Sequence, residues 1–268
     1  MKSKKIHPVK SAFIVLAGAI GMSLSGMTLA VSCGDTIDTP EALDSDLNCA
    51  VSPAVTIMGP SGSLNFNGFT ISCDGDGVGV KLVGSMARIT GGGTPFGFVQ
   101  LCDTGVFLEG TGSHYVSDIS ADQNSRIGIS MVSDGNFLLD SQGSNNSGIG
   151  IAVSGDNNTI AASSANNNQL DGIAVVGNGA VIARSFAITN SLAGIVLSGS
   201  DNSVVTQNTA TSNTYGIVLE RQGQGNFIIA NDANTNFSTD LVDDNVPPCV
   251  GNTWFLNDFV TASDPCIN

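Results

Sequence analysis

Six short segments in the middle of the chain share one pattern of apolar and polar positions. Each opens on glycine and then alternates: Gly105-Val106-Phe107-Leu108, Gly128-Ile129-Ser130-Met131, Gly150-Ile151-Ala152-Val153, Gly172-Ile173-Ala174-Val175, Gly194-Ile195-Val196-Leu197 and Gly216-Ile217-Val218-Leu219. The first interval between glycines is 23 residues and the next four are 22. A period of two puts Ile151 and Val153, or Ile173 and Val175, on one face of a strand. A second apolar column runs Leu138, Ile160, Ile182, Val204 and Ile228, and a third, of small residues, runs Gly143, Ala165, Ala187, Thr209 and Ala233. Helix is a poor reading, because apolar spacings of three and four are missing and glycine, serine and asparagine are dense.

A fixed period of this length belongs to a solenoid, whose units are too small to bury a core alone and must stack on their neighbours. Three short strands per coil of about 22 residues predict an all-β, right-handed parallel β-helix. Asn124, Asn146, Asn168 and Asn190 each stand four residues before a rung glycine, and Ser212 then Asn236 continue that column. A second column holds Asn136, Asn158, Asn202 and Asn226, with Ala180 as a break and His114 at its start. Asparagines held in register are expected to hydrogen-bond from coil to coil at turns. Between Glu220 and Asn226 the chain carries two extra residues, expected as a bulge in one turn.

The ends read differently. Residues 1–30 carry Lys2, Lys4, Lys5 and Lys10, an apolar run from Ala12 to Leu24 and a small-residue site at Thr28-Leu29-Ala30, the layout of a secretory signal peptide. The run is short for a membrane anchor. Lipid attachment at Cys33 is the weaker alternative, since alanine stands where a larger aliphatic is usual. Residues 31–104 read as an N-terminal cap with irregular first rungs, 105–245 as regular rungs and 246–268 as a C-terminal cap holding Trp254, Phe255 and Phe259.

Six cysteines in an exported chain suggest three disulfides. Proximity favours Cys33–Cys49, Cys73–Cys102 and Cys249–Cys266, out of 15 pairings, as staples on the two ends. Beyond residue 30 there are five basic residues against 23 acidic ones, a net charge of −18. That charge excludes nucleic acid as a natural partner. It also repels anionic glycans unless calcium bridges them.

The stretch Leu64-Asn65-Phe66-Asn67-Gly68-Phe69-Thr70-Ile71, the repeated Asn-x-x-x-Gly-Ile units and the ending Asn252-Thr253-Trp254 resemble right-handed parallel β-helix repeat proteins of the pectate-lyase-like superfamily. The resemblance spans nearly all of the chain past the leader. It implies the fold strongly and an activity weakly, since that superfamily mixes lyases, hydrolases, epimerases, adhesins and inactive members. Polygalacturonase-like chemistry would need Gly-His-Gly and Arg-x-Lys; beyond residue 30 the histidine is His114, and no lysine follows Lys81. An epimerase-like Asp-Pro-His-Asp is missing, since Asp264-Pro265 runs into Cys266.

Other chemistry comes from stacking. Asp134 and Asp156 are one period apart, so their backbones should lie about 4.8 Å from each other. They could share calcium or act as a carboxylate pair, with Asn178 and Ser200 extending the column. The plainer reading is a solvated turn. Arg184 is a candidate base, though its neighbours one rung away, Ala162 and Thr206, supply no carboxylate. His114 could serve as a general base, but its column suggests a turn position. Asp103 and Arg126 should pair across rungs. With catalytic motifs failing, the leading expectation is a non-catalytic extracellular or periplasmic protein that binds glycans or a cell surface. A polysaccharide lyase or glycoside hydrolase on the outer face of the rungs is the alternative. A purely structural or self-associating repeat protein is the third.

Overall fold

The structure, a computed structural model, describes residues 30–268; apart from Ala30, the leader read over 1–30 lies outside the described residues. Among the described residues the regular elements are 24 strands of two to six residues. All pair in parallel, in two ten-stranded sheets and one four-stranded sheet. The first sheet stacks Thr36–Ile37, Val55–Met58, Val78–Val83 and Thr104–Leu108, then the repeat strands from Ile127–Met131 to Tyr215–Glu220, and ends on Thr239–Asp243. The result is a right-handed parallel β-helix. No helix among the described residues is long and apolar enough to cross a membrane.

Register follows the apolar columns. Ile129, Ile151, Ile173, Ile195 and Ile217 are successive partners in the first sheet. Each is fully buried, and burying an aliphatic side chain of this size contributes roughly 1.5–3 kcal/mol. The second sheet stacks Leu138, Ile160, Ile182, Val205, Ile228 and Trp254. Trp254 is buried and closes the last coil, while Phe255 faces out. The third side narrows after Ile119–Ser120 to single bridges, Gln142 to Ser164 to Phe186 to Thr209 to Asp232. Left-handed residues stand at both corners of this side in each coil, such as Asp118 with Gln123, Asp140 with Asn145 and Ala162 with Asn167, and leave only a few residues between them to extend.

Four columns slip by one residue from the expected register. Ten residues separate Ile195 from its coil-mate Val205, where nine separate Ile173 from Ile182. Eleven residues separate Ile217 from its coil-mate Ile228, so both extra residues do lie between Glu220 and Asn226, and the preceding coil carries one more of its own in the same turn. Val205 replaces Val204 in the second column. Ala210, buried, replaces Thr209 among the small residues. Asn213 replaces Ser212 in the first asparagine column, and Ser203 replaces Asn202 in the other. Asn202 and Ser212 instead take the left-handed turn position just before, equivalent to Asn157 and Asn167.

The ladders are largely buried; the first is continuous, and the second breaks at Ala180 before resuming at Ser203. In the first, Asn124, Asn146, Asn168, Asn190 and Asn213 each donate a backbone N–H to the side-chain oxygen one coil on, at 2.8–3.0 Å. The series ends where Asp240 accepts from the Asn236 backbone. A third ladder, not anticipated, runs Ser141, Ser163, Ser185, Asn208, Asn231, Asn257 at the opposite corner. Buried backbone donors must find partners, and these columns supply them where the sheets bend.

Disulfides join Cys33 to Cys49, Cys73 to Cys102 and Cys249 to Cys266. The first and last lie near the two ends. Cys73–Cys102 does not: it ties one coil to the next inside the stack, beside the start of the first ladder, where the Cys102 N–H donates to Asn124 at 3.1 Å.

Candidate functional site

The outward face of the first sheet carries a broad concavity. Its strands alternate, so Ile173, Ile195 and Ile217 point in while Ala174, Val196, Val218 and Val242 form an outward apolar row. Over this floor lies an open groove of about 680 Å³, within the size range of ligand clefts. Asp171, Leu192, Ala193 and Tyr215 line it at the strand starts, and Ser198, Glu220, Arg221 and Asp244 at the strand ends.

The wall at the strand starts follows from one column. The residue before each rung glycine is Ile127, Ile149, Asp171, Ala193 and Tyr215 in successive coils. The small Ala193 side chain leaves room, and its backbone N–H donates to Asp171 at 2.9 Å. Burial pushes the Asp171 carboxyl above the usual carboxylate range; the Ala193 bond opposes this, and the Glu220 charge adds to it. On the far wall Arg221 pairs loosely with Glu220 at 3.4 Å, and both are substantially exposed.

The residues singled out from the sequence lie elsewhere. Asp134 and Asp156 are stacked, but neither lines the groove. The Asp156 N–H donates to Asp134 at 2.8 Å, the Asn178 N–H to Asp156 at 2.7 Å and the Asp201 N–H to Asn178 at 2.9 Å. Asp201, not Ser200, thus extends this outer ladder, for the reason of the shifted turn. Ser200 is buried instead. Among the described residues no group of three or more His, Cys, Asp or Glu side chains gathers as a metal site. Arg184 takes a left-handed turn position after the second sheet. Its strand neighbour Ala183 pairs with Thr206, so Gln207, not Thr206, stacks on it. Arg184 and the Asp134–Asp156 pair are not brought together. Asp103 and Arg126 do pair, at 2.8 Å, an exposed contact contributing about 0–1 kcal/mol.

His114 is sealed in the second ladder. Its backbone donates to Asn136 at 2.9 Å, its Nδ1 accepts from the Ala87 N–H at 3.1 Å and its Nε2 bonds the Glu109 carbonyl at 2.8 Å. The Nε2–H tautomer satisfies both rings of contacts at once. Burial holds its pKa below the ordinary histidine value, with the two hydrogen bonds opposing. A general-base role has no access to solvent or substrate at this position. The sign for stability follows: the unfolded histidine takes up a proton as pH falls through about 6.5, while the folded one resists. The wild-type protein is therefore expected to lose stability between about pH 7 and 5. His114→Asn, which restores the residue found at Asn136 and Asn158, should flatten that part of the curve in urea melts at several pH values.

A second hollow of about 600 Å³ sits by the Cys73–Cys102 corner. Asp74 is its one charged residue, and it has no aromatic side chain. The first-sheet groove is the better-equipped site. Sequence reading missed it because its side chains come from several coils and both strand ends. The visible signal was the break in the pre-glycine column at Asp171 and Tyr215.

Residues 104–253 match the family model described as the right handed beta helix region. No curated protein matches the chain by sequence. Among solved structures, the periplasmic alginate epimerase AlgG superposes with a TM-score of 0.65 at 14% identity, covering 84% of this chain and 61% of that one. The enzymatically active domain of bacteriophage CBA120 tailspike protein 2 gives 0.55 at 11% identity, over 85% of this chain and 38% of that one. Pectate lyase Pel9A gives 0.52 at 14% identity, over 88% and 71%. At such identities the likeness is one of fold, and the chain spans only about three fifths of the epimerase's length.

Proposed function

The chain belongs to the right-handed β-helix family, and from that premise we propose that it engages a polysaccharide lengthwise in the groove above the first sheet. The groove itself carries this reading. Its floor of Ala174, Val196, Val218 and Val242 crosses four coils, roughly 14 Å at the usual strand spacing. Apolar floor atoms can contact the faces of sugar rings, and Tyr215, Ser198 and the carboxylates can bond hydroxyls at the edges. Three structural neighbours act on, or are named for, polysaccharides or a phage tailspike activity, which supports the ligand class. The leader expected over 1–30 and the three disulfides support an exported location, extracellular or periplasmic.

Turnover is the second reading, favoured by one observation. Asp171, with its carboxyl held above the ordinary range by burial, shares the groove with Glu220. Two carboxyl groups sharing one sugar-sized groove are the kind of pair that glycoside hydrolysis uses. A panel of polysaccharides, with and without calcium, separates the readings: retention alone supports binding, and release of products supports an enzyme. Tyr215→Ala should weaken retention about tenfold, as loss of a central aromatic anchor does. No retention on any glycan, or retention indifferent to Tyr215, overturns the groove assignment.

A further inference from the structure

The groove's charge is lopsided. Asp171, Glu220 and Asp244 line it against a single cation, Arg221, which is already engaged with Glu220. Ion pairs among the described residues are Lys81–Glu109, Arg126–Asp103 and Arg221–Glu220, so neither Asp171 nor Asp244 has a cationic partner. The carboxylates also stand on opposite walls. Asp171 lies at the start of its coil's strand position, whereas Glu220 ends the strand Tyr215–Glu220 and Asp244 follows the strand ending at Asp243. A ligand lying along the floor therefore meets negative charge on both flanks.

We propose that the groove takes a cationic glycan, a polymer of amino sugars with free ammonium groups, rather than a uronate polymer. The inference rests on the groove reading above and gives its ligand class. In a partly desolvated cleft, opposite charges attract and like charges repel more strongly than in open water. A polyuronate would place carboxylates against carboxylates. An amino sugar presents apolar ring faces to the valine floor and ammonium groups to the walls. Calcium bridging would reverse this only if several oxygen ligands converged. The three carboxylates are divided between walls, and no such group is gathered among the described residues.

The test is calorimetric titration of the protein with three oligosaccharides of matched length: the fully deacetylated glucosamine hexamer, its N-acetylated neutral counterpart, and oligogalacturonate with and without calcium. The glucosamine hexamer should bind at least tenfold more tightly than the acetylated one, and the preference should shrink as salt rises. The double variant Asp171→Asn with Glu220→Gln should abolish the preference. Asp134→Asn with Asp156→Asn, which removes equal charge outside the groove, should leave it intact. Circular dichroism melts confirm that both variants fold. Equal affinity for the two hexamers, tighter binding of the uronate, or a preference that survives loss of Asp171 and Glu220 would overturn the proposal. If a neutral or uronate ligand binds and is lost on Tyr215→Ala, the groove stands and only the charge inference falls. If none binds, both fall.

Discussion

Replacing Asn168 with alanine lowers the stability of the fold by about 3–5 kcal/mol, read as a shift in the denaturant midpoint. In the intact ladder the Asn168 side-chain oxygen accepts from the Asn146 backbone at 3.0 Å and from its amide group at 3.2 Å. The Asn168 amide group donates to Gly143 at 3.1 Å and to Asn190 at 3.0 Å. Alanine strips partners from a buried N–H and a buried carbonyl, each orphan costing about 1–3 kcal/mol, and leaves a void besides. Water cannot replace them, since Asn146, Asn168 and Asn190 are all at most 2% exposed. Asn178→Ala is the control. Asn178 also serves the next coil, accepting from Asp201 at 2.9 Å, but it lies in an exposed turn. Water can take its place, so the change should stay within about 0.5 kcal/mol. Equal costs for the two would mean that burial is not what makes the inner ladder matter.

Gly172→Ala should be as damaging, at about 3 kcal/mol or more in the same measurement. A methyl group there would meet the Asn190 amide nitrogen at 2.6 Å, the Gly194 carbonyl at 2.7 Å and the Ala165 carbonyl at 2.9 Å. Two of these are backbone: the Gly194 carbonyl is fixed by strand pairing in the next coil, and the Ala165 carbonyl lies across the narrow interior of Gly172's own coil, so relief requires both to shift. Gly128, Gly150, Gly194 and Gly216 meet the amide of the following coil's ladder asparagine in the same way, at 2.5–2.6 Å. The glycine and the asparagine of the repeat are thus one device: the missing side chain makes the space in which the next coil's amide lies. Pairing Gly172→Ala with Asn190→Ala removes only one of the three collisions and should not rescue the fold.

This coupling explains what could be read beforehand. The Asn-x-x-x-Gly spacing is a packing requirement repeated at every level, so it shows through as a period. The inward isoleucines show for the same reason. Asn213, Ser203 and Asp201 escaped because turn length is not under that constraint. An added residue between Leu197 and Val204 is offset in full before Gly216, and counting from glycine to glycine conceals both changes. His114 was placed in its ladder by position, but only its three hydrogen bonds explain why an imidazole can stand in for an asparagine. Asp171 and Tyr215 showed only as breaks in the pre-glycine column, and Glu220 carried no signature. Each is an ordinary surface residue until coiling brings levels two coils apart into one groove.

The inner ladders also run one way. Except at Ala180, each ladder position offers a backbone donor that its successor's side chain satisfies, so each level stays unfinished until the next is laid on it. Asp240 breaks the rule: it serves Asn236 within its own coil and is itself met by the Val260 and Thr261 amides at 2.9 and 2.8 Å. It works as a terminator. Below that stop, between Gly128 and Gly216, the storeys share one 22-residue length, and the height of the tower is a number that can change in integer steps without rewriting either end.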